Sequence, residues 1–154
     1  MRKCGICSEC CNVLAVDELQ KKTFSTCSHS CAFGCNIYSQ RPGSCRDYRC
    51  LWLDGHLTDE DHPDKLGVIF TTTYHPEWGT VIMIVECKSR AISQPQVKKA
   101  IDQISDHMPL VLMRKDQTVL LLPPTHDDSS QILEPVDSPI MLTIGQSEQP
   151  AVAA

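Results

Sequence analysis

The chain has 154 residues, ten cysteines and a net charge of −5. Its first apolar stretch, residues 13–16, is short and ends at Asp17, and no apolar run approaches the roughly 20 residues needed to cross a bilayer. We therefore expect a cytoplasmic protein with no signal peptide and no membrane association. A pI of about 5.6 and the lack of a concentrated basic stripe argue against nucleic acid as a partner.

Nine of the ten cysteines lie within the first 50 residues. In the reducing cytoplasm this dense pattern favours metal binding; the alternatives are a disulfide framework and redox-active free thiols. Residues 1–53 carry seven Lys and Arg against four acids, a net charge of +3, and the rest of the chain carries −8. Cations beside cysteines lower the cost of burying a negative metal–thiolate centre. We predict that residues 1–53 form a small metal-stapled, cysteine-cluster domain.

Local patterns predict the following elements in chain order. Apolar residues at helical spacing predict a short helix over 11–22, and the acidic segment 54–65 predicts a connection with a helical turn after Thr58. β-branched runs and one amphipathic pattern then predict a strand–strand–helix–strand–strand order, with strands over 66–74, 80–88, 109–115 and 117–124 and a helix over 94–107.

This order predicts an α+β fold in which a mainly antiparallel sheet carries the helix on one face. We assign residues 54–125 to this α+β domain. Residues 126–154 are polar and interrupted by prolines, and we predict one strand over 139–144 followed by a disordered end.

The cysteine spacing indicates which metals fit. Cys4, Cys7, Cys10 and Cys11 form a C-x-x-C-x-x-C-C run, in which two short loops let three thiolates turn toward one centre while Cys11 points elsewhere or bridges. Thiolates suit zinc and iron–sulfur clusters, and both take four donors. The likeness of the run to the three-ligand runs of bacterial ferredoxins favours an iron–sulfur cluster slightly over Zn²⁺.

Nine cysteines exceed the needs of one such site, and two interpretations stay open. In the first, eight thiolates form two four-ligand centres, or one binuclear centre bridged by adjacent cysteines. In the second, one cubane cluster takes four cysteines and the others are structural or bind a second metal.

The cysteine motifs resemble a known family. The sequences C-G-I-C-S-E-C-C at 4–11, C-N-I-Y-S-Q-R-P at 35–42 and C-R-D-Y-R-C at 45–50 look like those of the YkgJ family of cysteine-cluster proteins, a zinc- or iron-chelating family whose members are often called Fe–S-cluster proteins. The resemblance covers about the first 50 residues. It implies a ligand set of Cys4, Cys7, Cys10, Cys11, one of Cys27 and Cys31, Cys35, Cys45 and Cys50.

Other residues have smaller expected roles. His29 lies between Cys27 and Cys31 and is the one histidine expected as a replacement ligand, whereas the other five are expected to be solvated. Cys87 is expected to be an ordinary strand cysteine. Four side chains near the cysteines are expected either to shield a metal centre or simply to form the core of the small domain: Tyr38, Tyr48, Trp52 and Leu53.

These patterns favour a metal-binding protein of structural or interaction type, whose metal organises a surface for an unidentified protein partner. The alternatives are an iron–sulfur protein in electron transfer or accessory redox chemistry and, less favoured, an enzyme that modifies proteins through its cluster. The sequence has no phosphate-binding glycine loop, nucleophile elbow, HExxH helix or dinucleotide fingerprint, so we assign no catalytic residue.

Overall fold

The structure is a computed structural model that describes residues 2–76, 78–104 and 108–116 and the backbone of residues 119–122. Its α-helices within these ranges are α1 (Glu9–Val13), α2 (Gly43–Asp47), α3 (Pro63–Leu66) and α4 (Pro95–Ile104). None of these helices is long and apolar enough to cross a membrane. The strands are β1 (Ser30–Cys31), β2 (Gly34–Cys35), β3 (Val68–His75), β4 (Gly79–Glu86), β5 (Leu110–Met113) and β6 (Val119–Leu122).

Three of the predicted features lie wholly or partly outside the described residues. The first is the C-terminal segment 126–154, with its strand expected over 139–144. The second is the end of the helix predicted over 94–107, at residues 105–107, and the third is both ends of the strand predicted over 117–124.

The four longest strands form one mixed sheet in the order β3-β4-β5-β6. β3 and β4 form an antiparallel hairpin in which Val68 lies opposite Glu86. The chain then crosses over through α4, so β5 runs parallel to β4, with Leu110 opposite Ile82. β6 is antiparallel to β5. The α+β class and the strand–strand–helix–strand–strand order are confirmed, and the crossover helix explains the one parallel pair.

Both faces of this sheet are covered over much of their area. Because side chains alternate along a strand, one set packs against α4 and the turn at residues 51–57. The buried side chains on this face include Val68, Phe70, Ile82, Ile84, Val97 and Ala100. On the opposite face, the cysteine-rich segment contributes Val13 and Leu14 to a second cluster with Ile69, Met83 and Val85. The cysteine-rich segment is therefore held against the sheet by apolar contacts.

The boundary predicted at residue 53 lies next to a buried turn. Leu51 and Trp52 are 8% and 9% exposed and belong to the core on the α4 side. The Leu51 N–H donates to the Phe70 carbonyl at 2.8 Å. Arg2 adds a second connection, because its Nη1 donates to the carbonyls of Trp52 and Leu57 at 2.8 and 2.7 Å. The two predicted parts thus share a core at this turn, and their division at residue 53 stays a prediction.

The helix predicted over 11–22 is wrong from Leu14 onward. α1 ends at Val13, and Leu14 is extended, with a ψ of 145°. The chain then reverses through a 3₁₀ turn, and Val16 and Lys21 pair in an antiparallel bridge. The reversal returns Lys21 to the cysteines while Val13 and Leu14 stay buried against the sheet. A continuing helix would carry Lys21 away from them.

The acidic connection forms two short helical turns before the sheet. The Thr58 N–H donates to Asp61 Oδ2 at 2.9 Å and so begins a 3₁₀ turn over Asp59–Asp61, as the sequence predicts. Pro63 then occupies the start of α3, where its fixed φ suits a helix and its missing N–H is not needed. The backbone of His62, which lies between the two turns, is therefore fixed.

We expect Gly67→Ala to destabilise the fold. Gly67 ends α3 with a φ of +70°, and an added Cβ would lie 3.0 Å from the Lys88 Cβ and 3.1 Å from the Ala91 Cβ. The left-handed conformation alone costs roughly 1–2 kcal/mol for a residue with a Cβ. Gly55→Ala is the matched control, because Gly55 has a φ of +88° but open space around it. Urea unfolding should give Gly67→Ala the lower midpoint, and equal midpoints would contradict the close packing at Gly67.

Candidate metal centre

Eight of the ten cysteines line two adjoining cavities in the cysteine-rich segment. The first cavity measures about 710 Å³, including open solvent at its mouth, and the second about 470 Å³ on the same basis. The cysteines that line both are Cys4, Cys7, Cys10 and Cys45. Those that line only the first cavity are Cys11, Cys27 and Cys35. Cys50 lines only the second.

A turn and a short helix position the first cysteines. The Cys7 N–H donates to the Cys4 carbonyl at 3.0 Å, and Gly5 between them has a φ of +58°, which glycine adopts without strain. Cys10 and Cys11 follow on α1. The two x-x loops therefore bring Cys4, Cys7 and Cys10 to the same cavities, as their spacing predicts.

Later segments bring the remaining cysteines to this place. The Cys27 N–H donates to the Cys11 carbonyl at 2.9 Å, which ties the two segments together. Cys35 lies in β2 and Cys45 in α2. Cys50 immediately precedes the buried turn that leads to the sheet. Backbone contacts, rather than sequence proximity, bring these sulfurs together.

The structure separates Cys27 from Cys31, the two alternatives for one ligand position. Cys27 is 8% exposed and lines the first cavity. Cys31 is exposed in β1 and is not among the residues that line either cavity. His29, between them, also lines the first cavity. The structure therefore places Cys27, and not Cys31, with the other cysteines.

Cys87 lies just after β4 and does not line either cavity. Its Sγ is 3.5 Å from the Val85 carbonyl oxygen. Burial, followed by the charge of Glu9, raises its pKa. Cys87 therefore lies one residue beyond the strand in which it is expected, and it is near enough to Cys7 for the charge of that thiol to act on it.

The thiols are gathered without being arranged for coordination. All ten cysteines are unpaired, and within the described ranges no three His, Cys, Asp or Glu side chains stand in positions ready to hold a metal ion. Burial raises the pKa of Cys7 to about 11 and also raises the pKa values of Cys45 and Cys50. Because metals bind thiolates, a metal entering here would have to displace protons and draw the sulfurs inward.

Cys10 and Cys11 have opposite pKa shifts. The adjacent Cys10 side chain lowers the pKa of Cys11, and the charges of Lys21 and Arg41 add to this effect against the opposing effect of burial. The adjacent Cys11 side chain and burial raise the pKa of Cys10. Cys11 therefore loses its proton before its neighbour.

Lys21 is a buried cation among these sulfurs, with 8% of its surface exposed. Its Nζ donates to the Leu14 carbonyl and, at 3.3 Å, to the Lys22 carbonyl. No carboxylate pairs with it among the ion pairs of the described residues. Burial lowers its pKa, and four nearby sulfurs oppose that shift, those of Cys27, Cys11, Cys10 and Cys45. A negative metal–thiolate centre is the counter-charge that this ammonium group fits.

Electrostatic neighbours define a first set of cysteines. The charges of Cys11 and Cys27 act on Cys45. Cys35, like Cys11 and Cys27, lines only the first cavity. We call Cys11, Cys27, Cys35 and Cys45 the first set.

A second set surrounds the other cavity. Cys50 interacts with Cys4 and with Cys7, and we call these three cysteines the second set. Cys10 lies between the sets, since it interacts with Cys11 of the first and with Cys4 and Cys7 of the second. The adjacent pair Cys10 and Cys11 is therefore where the two sets meet.

Aromatic side chains line the cavities at the expected positions. Tyr38 and Tyr48 line the first cavity, and Tyr48, Trp52 and Leu53 line the second. Tyr48 Oη and Trp52 Nε1 are buried without a hydrogen-bond partner in the described part of the chain; Thr71 is near Tyr48 but outside hydrogen-bond geometry. Buried polar atoms rarely stay unpaired, so these two donors fit a site that binds an acceptor such as a thiolate.

His62 is a candidate that the sequence analysis missed. It was expected to be solvated, but its side chain is 15% exposed and lines the second cavity. His62 lies well beyond Cys50, the nearest cysteine in the sequence, so the sequence does not indicate that it lines the cavity. The one local sign was Pro63, which predicts a helix start and hence an ordered backbone at His62.

Comparisons with known proteins leave the site to be interpreted from its own residues. Protein-family models, curated proteins and solved structures were each compared with this chain, and none of them matches it.

We expect Lys21→Met to slow the alkylation of Cys11 in metal-free protein. Thiolates are the reactive form, so Cys11 should react with iodoacetamide at lower pH than Cys7. Removing the Lys21 charge disfavours the thiolate, which raises the pKa of Cys11 and shifts its reactivity to higher pH. Lys22→Met is the matched control, because Lys22 is exposed. Site-resolved mass spectrometry measures the reaction, and an unchanged pH midpoint in Lys21→Met would contradict the electrostatic role of Lys21.

Proposed function

We propose that this chain is a metal-binding cysteine-cluster protein of structural or interaction type. One observation carries the proposal: eight cysteines from separate segments line two adjoining cavities. Cys31 is exposed and Cys87 lines neither cavity, so the gathering is selective. Eight thiols around shared space provide the donors that a soft metal requires.

The donors support two metal centres. The first set supplies four sulfurs, the number that a zinc ion or a common iron–sulfur cluster takes. The second set supplies three, and Cys10 between the sets completes the eight. When bound, zinc would cross-link these segments, and an iron–sulfur cluster would cross-link them and also carry electrons.

The charges and donors around the cavities support bound thiolates. Lys21 brings a buried positive charge to the first set, and Arg41 lines both cavities. The unpaired donors of Tyr48 and Trp52 border the second cavity. Such surrounding groups stabilise negative metal–thiolate centres and limit access of water.

The resemblance of the cysteine motifs to the YkgJ family supports the same function. We favour an iron–sulfur cluster slightly over Zn²⁺ on the spacing of the N-terminal run. We further propose a cytoplasmic protein whose partner is another protein rather than nucleic acid or a membrane, and we assign it no catalysis.

Electron transfer is the second candidate function. Tyr38 lines the first cavity and is still 44% exposed, with the Arg41 guanidinium 3.7 Å from its ring centre. A cluster in this cavity would therefore lie near the surface, within reach of a redox partner. Iron–sulfur centres give brown protein with visible absorption and zinc gives colourless protein, so colourless protein from an anaerobic purification would rule out electron transfer.

Metal should protect the seven cysteines of the two sets from alkylation and leave Cys31 unprotected. We expect the full chain, loaded anaerobically with zinc or reconstituted with iron and sulfide, to lose iodoacetamide reactivity at both sets. Cys31 should react equally with and without metal, because it is exposed. Site-resolved mass spectrometry reads all of these positions in one experiment.

Serine variants then assign the centres. Cys45→Ser should lose the metal of the first set and Cys50→Ser that of the second, whereas Cys31→Ser is the matched control and should bind the full complement. Structural metal binding is folding energy, so the two former variants should also become more sensitive to protease within residues 1–53. Equal metal content and equal protease resistance in all three variants would contradict the proposal.

A further inference from the structure

His62 is fixed beside the second cavity by its neighbours. Its ring packs edge-on against Trp52, with ring centroids 4.2 Å apart and planes at 82°. Its carbonyl accepts hydrogen bonds from the N–H groups of Lys65 and Leu66 at 2.9 and 3.0 Å, because it immediately precedes α3. Both the backbone and the ring of His62 are therefore held in place before any ligand arrives.

Asp64 determines which nitrogen of His62 is available. The His62 Nδ1 is in hydrogen-bond contact with Asp64 Oδ1. This contact assigns the Nδ1 proton to the bond with the carboxylate and leaves the Nε2 lone pair free. Metal-binding histidines commonly have this arrangement, in which a carboxylate orients the ring and increases its basicity.

The pair stands next to the second set of cysteines. His62 lines the second cavity together with Cys4, Cys7 and Cys50, and Asp64 is close enough to Cys7 for its charge to act on that thiol. The Lys88 Nζ donates to the Asp64 carbonyl, which further fixes the residue. The first set has four donors of its own, whereas the second has three sulfurs, and Cys10 lies between the two sets.

We propose that His62, positioned by Asp64, is a metal ligand of the second cavity and joins the thiolates of Cys4, Cys7 and Cys50 through Nε2. This inference rests on the proposed metal-binding function and deepens it. Three cysteines and one histidine form a donor set that zinc accepts in structural sites. Cys10 is then not needed as a ligand in the second cavity and stays beside Cys11, where the two sets meet.

The test compares the first coordination shell of the metal in matched variants. His62→Phe keeps an aromatic ring against Trp52 but removes the nitrogen, and His56→Phe is the control because His56 is exposed. The full chain is loaded with Co²⁺ alone for a zinc centre, or reconstituted with iron and sulfide for an iron centre. Metal-edge X-ray absorption and the visible spectrum then report nitrogen and sulfur ligation.

We expect a mixed nitrogen and sulfur shell in the parent and in His56→Phe, and loss of the nitrogen contribution in His62→Phe. Affinity for Co²⁺ should fall in His62→Phe, and Asp64→Asn, which loosens the orientation of the ring, should bind about 10- to 100-fold more weakly than the parent. Removing the Asp64 charge by itself lowers the pKa of Cys7 and favours metal binding, so weaker binding in Asp64→Asn reports the ring. A smaller loss of Co²⁺ affinity in Asp64→Asn than in His62→Phe would show that Asp64 positions the ring, whereas His62 binds the metal.

The outcomes distinguish this inference from the function on which it rests. An all-sulfur shell in the parent, or an unchanged spectrum and affinity in His62→Phe, overturns the role of His62 and leaves the metal-binding function standing. Failure of the parent to bind either metal overturns both. If His62→Phe does not fold, the affinity of Asp64→Asn for Co²⁺ still decides, and an affinity equal to that of the parent overturns the role of His62.

Discussion

The position of the Cys10 and Cys11 sulfurs, where the two sets meet, depends on the apolar contact between the cysteine-rich segment and one face of the sheet. Val13 and Leu14, each 3% exposed, pack with Ile69, Met83 and Val85. Burial of each such side chain contributes about 1.5–3 kcal/mol, so this contact is a substantial part of the stability of a small protein. Since α1 ends at Val13, the same contact places the cysteines carried by that helix. The sheet thus helps to position the site, although none of the cysteines that line the cavities lies in β3, β4, β5 or β6.

A second constraint acts on the sulfurs once the fold has gathered them. Buried thiols keep their protons, as the raised pKa values of Cys7, Cys45 and Cys50 illustrate, and their thiolates would repel one another. Lys21 offsets one negative charge at most. A divalent ion or a cluster core offsets several and draws the sulfurs into coordination distance. Metal binding and the ordering of this segment are therefore expected to be one coupled event, favoured as pH rises because protons compete for the same sulfurs.

The sequence predicts the regular elements better than the site. The strands and α4 follow from β-branched runs and an amphipathic pattern, which act locally. The helix predicted over 11–22 fails because tertiary burial of Leu14 and the return of Lys21 override local spacing. The choice of Cys27 over Cys31 depends on a backbone bond between Cys27 and Cys11, and the placement of His62 depends on how the turn before α3 packs on Trp52. Such long-range contacts leave no periodic trace in the sequence.

Elemental analysis of the full chain, purified without oxygen and combined with a count of reactive thiols, tests the central claim most directly. The account predicts zinc, or iron with sulfide, in the amount needed for two centres, together with cysteines of both sets that react only after the metal is removed. Protein that contains neither metal and carries its cysteines paired as disulfides would contradict it.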